Sequence, residues 1–157
     1  MNGDHDHFMG IALAESQKAA AAGNSPVGSI IVRDGEVIGV GQNRVTSDND
    51  PTAHAEVDAI RDACTKFGTT DLSGAYCHTS MEPCPMCCWA IKAAGLAGMV
   101  IGARHADLAD LSPPNKQYGG YTVEALNELG EAGLDIVTDV RRDECVEMRR
   151  DWMLNAN

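Results

Sequence analysis

Two short motifs constrain this chain more than any other feature of its sequence. One reads His-Ala-Glu from His54 to Glu56, and the other reads Pro-Cys-Pro-Met-Cys from Pro83 to Cys87. Histidine nitrogen and cysteine sulfur suit a tetrahedral zinc ion, and three protein ligands leave the fourth position open for water. We therefore predict a catalytic zinc site formed by His54, Cys84 and Cys87. Glu56 is predicted to act as general acid and base beside the water.

The Cys-x-x-Cys pair alone would also suit half of a structural zinc site or a redox pair. A structural zinc ion would need a fourth ligand, and the nearest candidates are His78 and Cys88. His78 is expected at the end of a strand, and Cys88 directly follows Cys87, so it points about 100° further around a helix. Neither is well placed, and the catalytic interpretation is favoured.

Helix and strand patterns alternate along the chain and predict a layered α/β fold with a mixed sheet in one domain, residues 1–157. An Asp34-Gly35 hairpin turn opens the sheet. The predicted strands are Val27–Val32, Glu36–Gly41, Ala75–Thr79, Gly98–Ala103 and Leu134–Val140. The predicted helices are Phe8–Ala22, Ala53–Lys66 with Thr52 as cap, Pro83–Ala94, Thr122–Ala132 and Asp143–Leu154. The predicted loops include Asn43–Thr52 and the unusually long Arg104–Gly120.

Composition narrows the class of protein. The net charge of −11, from 23 acidic and 12 basic residues, opposes a nucleic-acid partner, whose binding surface is usually basic. No run is long enough for a membrane span, and residues 1–10 lack the plan of a secretory signal, so we expect a cytoplasmic protein. His5 and His7 are expected in a mobile terminus. The cysteines outside the zinc motif are predicted to be buried free thiols: Cys64, Cys77, Cys88 and Cys145.

The sequences of Pro51–Val57 and Glu82–Cys87 resemble those of the zinc-dependent cytidine/nucleobase deaminase superfamily, whose signature is H-x-E followed by P-C-x-x-C. The chain is most similar to the bacterial guanine deaminase and tRNA adenosine deaminase branches, from about Gly10 to about Ala106. The resemblance implies a three-layer αβα sandwich around a five-stranded mixed sheet. It also implies a Zn²⁺ cofactor and hydrolytic release of ammonia from an amino-substituted ring.

The same resemblance suggests residues that contact the substrate. An asparagine after the second strand hydrogen-bonds the substrate ring in this family, which points to Asn43, and an amide offers both a donor and an acceptor. The backbone near Ala55 and the side chain of His105, at the start of the long loop, are further candidates. Trp89 and Trp152 are expected to pack rather than stack on a ligand. Family members pair through helices that flank the sheet, so a homodimer is expected.

Several substrates stay open on the sequence alone. A small free base such as guanine is favoured by the sequences of the two motifs, and tRNA adenosine, cytosine and amino-triazines are alternative substrates. A zinc-binding module without catalytic activity is the alternative from another class of protein. The arginines near the C-terminus alternate with acidic residues, a pattern that predicts helix salt bridges rather than a phosphate track. The loop Ala106–Asn115 and the C-terminal residues Leu154–Asn157 depart from the guanine deaminase pattern.

Overall fold

The computed structural model describes residues 2–112, 118–131 and 133–155 of the chain. Within them lies a five-stranded mixed sheet with the strand order β2-β1-β3-β4-β5. Strand β1 is antiparallel to β2 and β3, whereas β3, β4 and β5 run parallel. The strands are β1 (Gly28–Arg33), β2 (Glu36–Gln42), β3 (Tyr76–Met81), β4 (Gly98–Ala103) and β5 (Asp135–Val137).

Helices cover both faces of this sheet. They are α1 (Asn2–Ala21), the short α2 (Val45–Asp48), α3 (Ala55–Phe67), α4 (Pro85–Ala93), α5 (Val123–Asn127) and α6 (Arg142–Asn155). The side chains of α1 and α6 pack together on one face, and those of α3, α4 and α5 pack on the other. The predicted three-layer arrangement around five strands is therefore confirmed. No helix among the described residues is long and apolar enough to span a membrane.

Alternating side chains of the central strands build the two halves of the core. On β4, Met99 and Ile101 join the cluster beneath α3 and α4, whereas Val100 joins the cluster beneath α1 and α6. This period of two is the geometry of an extended strand. All six residues of β4 are buried, because helices cover this strand on both faces.

Helix α3 lies unusually close to the edge strand β2. A Cβ atom added at Gly41 would lie 2.2 Å from the carbonyl oxygen of Ala55 and 2.3 Å from the nitrogen of Ala59. We expect Gly41→Ala to lower the free energy of unfolding by about 1–3 kcal/mol, because the helix must move away from the strand. Denaturant unfolding measures this change. Gly120→Ala is the control, since an added Cβ there meets no atom within 4 Å, and an equal loss in both variants would contradict the explanation.

The N-terminal prediction is wrong, because α1 begins at Asn2 rather than Phe8. His5 is part of this helix, and its Nδ1 lies 3.0 Å from Nε2 of His78. Asp6 forms an ion pair with Arg141 at 2.8 Å. These contacts with distant parts of the chain extend the helix, so His5 and His7 are not in a mobile terminus.

Other boundaries differ from the predictions in the loops and near the C-terminus. The polar loop after β2 contains α2, and the long loop begins with a 3₁₀-helix at His105–Leu108. Helix α5 is shorter than predicted because the Asn127 side chain hydrogen-bonds both backbone groups of Leu134, at 2.8 and 2.9 Å. Strand β5 is likewise shorter than predicted. Residues 113–117 of the predicted loop, the predicted helix end at Ala132 and residues 156–157 lie outside the described residues.

The cysteine and tryptophan predictions are partly wrong. Cys77, Cys88 and Cys145 are buried free thiols as predicted, but Cys64 is only partly buried. The side chain of Trp89 does not pack in the core, since it is 49% exposed on α4. The residues of α4 that are buried are others, among them Cys88 and Ile91. The helix packs against the sheet through these two side chains.

Candidate active site

The first motif lies at the beginning of α3. His54 is the N-cap residue, with extended backbone angles (φ −77°, ψ 154°), and Ala55 and Glu56 open the helix. The prediction that Thr52 caps this helix and that His54 lies within its first turn is wrong. The Thr52 hydroxyl instead donates a 2.7 Å hydrogen bond to the Asp50 carboxylate, within the preceding turn.

The second motif occupies the corresponding position in α4. Cys84 is the N-cap residue, followed by Pro85, whose ring suits the first helical position. The backbone nitrogen of Cys87 donates to Cys84 Sγ at 3.5 Å, which brings both sulfurs to the same side of the helix start. The predicted placement of Cys84 inside the helix is therefore wrong by one residue, but the two sulfurs face the same point.

The N-termini of α3 and α4 bring the three predicted ligand atoms together. Nδ1 of His54 lies 3.5 Å from Sγ of Cys84 and 3.5 Å from Sγ of Cys87. A tetrahedral zinc ion with ordinary bond lengths separates such ligands by roughly 3.5–3.8 Å. All three atoms lie within 4.8 Å of one another, so this group could hold a metal ion. In the described part of the chain, no other such group of three or more is found, and neither His78 nor Cys88 joins this one.

The charges of these donors also match a soft dication. A hydrogen bond from the Cys87 side chain holds the pKa of Cys84 down to about 4. The same hydrogen bond, together with burial, raises the pKa of Cys87. Hydrogen bonding to Cys84 raises the pKa of His54. A lowered pKa at Cys84 favours the thiolate, which is the form of cysteine that binds a metal cation.

Glu56 is buried beside this group. Its side chain is 3% exposed, and the hydroxyl of Thr79 on β3 donates to Oε1 at 3.2 Å. Burial raises the pKa of Glu56, and the nearby Cys84 sulfur raises it further. A carboxyl group with a raised pKa can both take up and release a proton near neutral pH.

A cavity of about 340 Å³ opens onto His54, Glu56 and Cys84. This volume lies at the lower end of small-molecule sites. All three residues predicted to contact the substrate line it: Asn43, Ala55 and His105. The structure therefore brings every predicted site residue except the buried Cys87 to the cavity wall, and the sulfur of Cys87 lies 3.5 Å from Nδ1 of His54.

The side chain of Asn43 is oriented by its own loop. The backbone nitrogen of Val45 donates to Asn43 Oδ1 at 3.1 Å. The Asn43 side chain is 8% exposed and lies at the end of β2. With the oxygen engaged by the loop, the NH₂ group is the donor left for a ligand.

Glu82 is a buried carboxylate that sequence reasoning did not single out. Its Oε2 accepts a 2.8 Å hydrogen bond from the His105 backbone nitrogen and lies 3.3 Å from the ring Nδ1. Its Oε1 lies 3.1 Å from Arg104 Nη2. Burial lowers the pKa of His105, which favours the neutral imidazole. Glu82 thus fixes the start of the long loop, and with it the ring of His105, against the cavity.

The C-terminal helix contributes a further wall that the sequence predictions missed. Arg149, Trp152 and Met153 line the cavity, and their spacing of three and four residues places them on one helix face. Trp152 was predicted to be a packing residue and Arg149 to be one of the salt-bridging arginines. The spacing was the available signal, but the position of α6 depends on contacts with β4 far away in sequence.

The fold and the donor set together define a class of zinc-dependent hydrolases in which a buried glutamate stands beside a three-ligand site. Residues 2–103 match the family model described as the cytidine and deoxycytidylate deaminase zinc-binding region. The chain belongs to this family, and it is a deaminase, as the sequence motifs predicted.

Relatives with two different substrates resemble this chain. It is 44% identical to the guanine deaminase of Bacillus subtilis over 108 residues, which is 68% of this chain and 69% of that protein. It is 35% identical to the tRNA-specific adenosine deaminase of Aquifex aeolicus over 130 residues, or 83% and 79% of the two chains. The solved structure of a guanine deaminase from Nitrosomonas europaea superposes with a TM-score of 0.80 at 26% identity, covering 95% of this chain and 84% of that one.

Proposed function

We propose that this protein binds Zn²⁺ through His54, Cys84 and Cys87 and deaminates a free heterocyclic base, with guanine or a close analogue favoured. The 3.5 Å separations between His54 and the two sulfurs support the metal assignment. The cavity of about 340 Å³ beside Glu56 supports a small substrate. When bound, zinc supplies a coordinated water whose pKa is lowered toward about 7.

Glu56 moves the protons in this reaction. Its carboxylate accepts a proton from the attacking water and passes it to the ring nitrogen next to the amino-bearing carbon. Glu56 then takes up the remaining proton of the hydroxyl group added to the carbon and delivers it to the amine, so that the carbon–nitrogen bond breaks, a carbonyl forms and ammonia departs. The raised pKa of Glu56, caused first by burial, makes the protonated carboxyl group easier to reach at neutral pH. The Thr79 hydrogen bond holds the carboxyl group in place during both transfers.

The remaining proposed contacts position the ring. Asn43 donates from its NH₂ group to an acceptor on the base edge, and the backbone at Ala55 offers a second polar contact. His105 lies on the cavity wall, with its ring 5.1 Å from that of Tyr118, measured between centroids. A neutral imidazole held by Glu82 at one nitrogen offers its other nitrogen to the ligand.

The pairing of three of the four arginines near the C-terminus is the observation that carries the preference for a free base. Arg141 pairs with Asp6 at 2.8 Å, Arg142 pairs with Asp107 at 2.7 Å and Arg150 pairs with Asp110 at 2.7 Å. Arginines held by carboxylates have little net charge to offer a phosphate backbone. A protein of net charge −11 also repels a polyanion, whereas a neutral base pays no such penalty.

Guanine leads among the bases because of the likeness to the two guanine deaminases. The tRNA adenosine alternative is favoured by one observation, namely that the Aquifex aeolicus relative aligns over the larger share of this chain. Cytosine and amino-triazines carry the same amidine carbon, and they are the remaining candidate substrates.

Ammonia release separates these substrates. We expect turnover of at least one free base, with guanine the strongest, and little release from tRNA at matched enzyme concentration. The panel contains guanine, cytosine, adenine, an amino-triazine, the matching nucleosides and tRNA, with Glu56→Ala protein as the blank. Robust turnover of tRNA adenosine with none on any free base would overturn the proposal. The expected homodimer and cytoplasmic location stay predictions.

A further inference from the structure

One wall of the cavity has no part in the reaction described above. The guanidinium group of Arg149 lies over the ring of Trp152, with Cζ 4.8 Å from the ring centroid. Nη1 of Arg149 also donates a hydrogen bond to Oγ of Ser25, another residue of the cavity wall. The aromatic ring and the hydroxyl hold this cationic group in a defined orientation at the cavity.

Arg149 differs from its neighbours in having no acidic partner. Arg141, Arg142 and Arg150 each form an ion pair with a carboxylate. Across residues 2–112, 118–131 and 133–155, no carboxylate lies within 4.0 Å of Arg149. Burial lowers the pKa of its guanidinium group. A cation in this position is costly unless an anion binds to it.

The geometry of the guanidinium group specifies the kind of anion. It carries five N–H donors in a planar fork, which matches two oxygens of a carboxylate or a phosphate. Ser25 accepts only one hydrogen bond from it, so further donors are available to a ligand. The cavity of about 340 Å³ has room for one ring system with a small charged substituent.

We propose that Arg149 binds an oxyanion carried by the ligand, so that an amino-substituted base with a carboxylate or phosphate group remote from the reacting carbon binds more tightly than the same base without that group. This inference rests on the proposed deaminase function and names its substrate class. The amino group then lies at the Glu56 end of the cavity and the oxyanion at the α6 end. Among the described residues that line the cavity, Arg149 is the one lysine or arginine, so it is the side chain that would select for an anion.

Paired ligands that differ by one anionic group test the proposal. For the zinc-loaded full chain, KM and kcat are measured for cytosine against 5-carboxycytosine and for guanosine against guanosine 5′-monophosphate. Equilibrium binding of the deaminated products, uracil against 5-carboxyuracil and xanthosine against xanthosine 5′-monophosphate, is measured by calorimetry. The two pairs distinguish a carboxylate from a phosphate. Binding of products does not depend on turnover, so it separates failure of this inference from failure of the proposed reaction.

The variants are Arg149→Met, Arg149→Lys and, as control, Arg150→Met. Arg150 lies on the same helix, but it pairs with Asp110 and does not line the cavity. We expect the anionic member of at least one pair to bind more tightly, and Arg149→Met to weaken that binding on the order of 10- to 100-fold while leaving the neutral member nearly unchanged. Arg149→Lys should restore part of the loss, because it keeps the charge but not the fork.

Three outcomes would overturn the inference. Equal binding of the neutral and anionic members of both pairs would show that the wall does not select charge. An equal loss for both members in Arg149→Met would show a stacking or structural role for the Arg149–Trp152 pair. An equal loss in Arg150→Met would show a general effect of surface charge.

Discussion

Replacing Glu56 by glutamine is expected to lower kcat by about 10²- to 10⁴-fold while leaving the fold and the zinc content unchanged. Glutamine has nearly the same shape and keeps an oxygen that can accept the 3.2 Å hydrogen bond from Thr79. It cannot take up and release a proton, so both proton transfers lose their carrier. Because burial disfavours the charged carboxylate, a neutral amide in the same place is not expected to destabilise the protein.

Steady-state ammonia release, zinc content by elemental analysis and thermal unfolding together test the role of Glu56. The matched control is Glu15→Gln, because Glu15 is also a buried glutamate but pairs with Lys18 at 2.7 Å and does not line the cavity. The control should keep near wild-type turnover. If Glu56→Gln loses zinc in parallel with activity, the carboxylate is a ligand rather than a proton carrier. If it keeps near wild-type turnover, the proposed mechanism is wrong.

The centre of the site could be predicted from the sequence because its geometry is set locally. His54 and Cys84 are both N-cap residues, so the chain direction at each is fixed by the helix that follows. Cys87 follows within the first turn of the same helix as Cys84. Short-range spacing therefore determines most of the ligand geometry, and only the meeting of two helix starts depends on the fold.

The positions of Glu82 and Arg149 beside the cavity could not be predicted in the same way, because they depend on contacts between distant segments of the chain. Glu82 meets Arg104 since β3 and β4 run parallel with Met81 opposite Ala103, which places the residues after each strand side by side. Arg149 faces the cavity because Cys145 anchors α6 in the core beneath it. In the sequence, Arg149 is indistinguishable from the neighbouring arginines that do form salt bridges.

Replacing Cys87 by alanine is expected to remove most of the bound zinc and nearly all turnover. The substitution removes one sulfur of the ligand group and leaves two protein ligands, His54 and Cys84. A site with two ligands binds zinc far more weakly, so zinc should also cease to raise the melting temperature of the variant, because a ligand stabilises only the form that binds it.

Cys88→Ala is the matched control for the Cys87→Ala variant. Cys87 and Cys88 are adjacent in α4 and both fully buried, so the two substitutions remove the same atom from equally packed positions. Of these two cysteines, only Cys87 contributes its sulfur to the ligand group, together with a ring nitrogen of His54 and the sulfur of Cys84. The expected result is therefore loss of zinc in Cys87→Ala and retention in Cys88→Ala, measured as zinc per chain after purification without chelator. Equal loss in both variants would point to packing of α4, or to a four-ligand structural site that includes Cys88, and would remove the open position that hydrolysis requires.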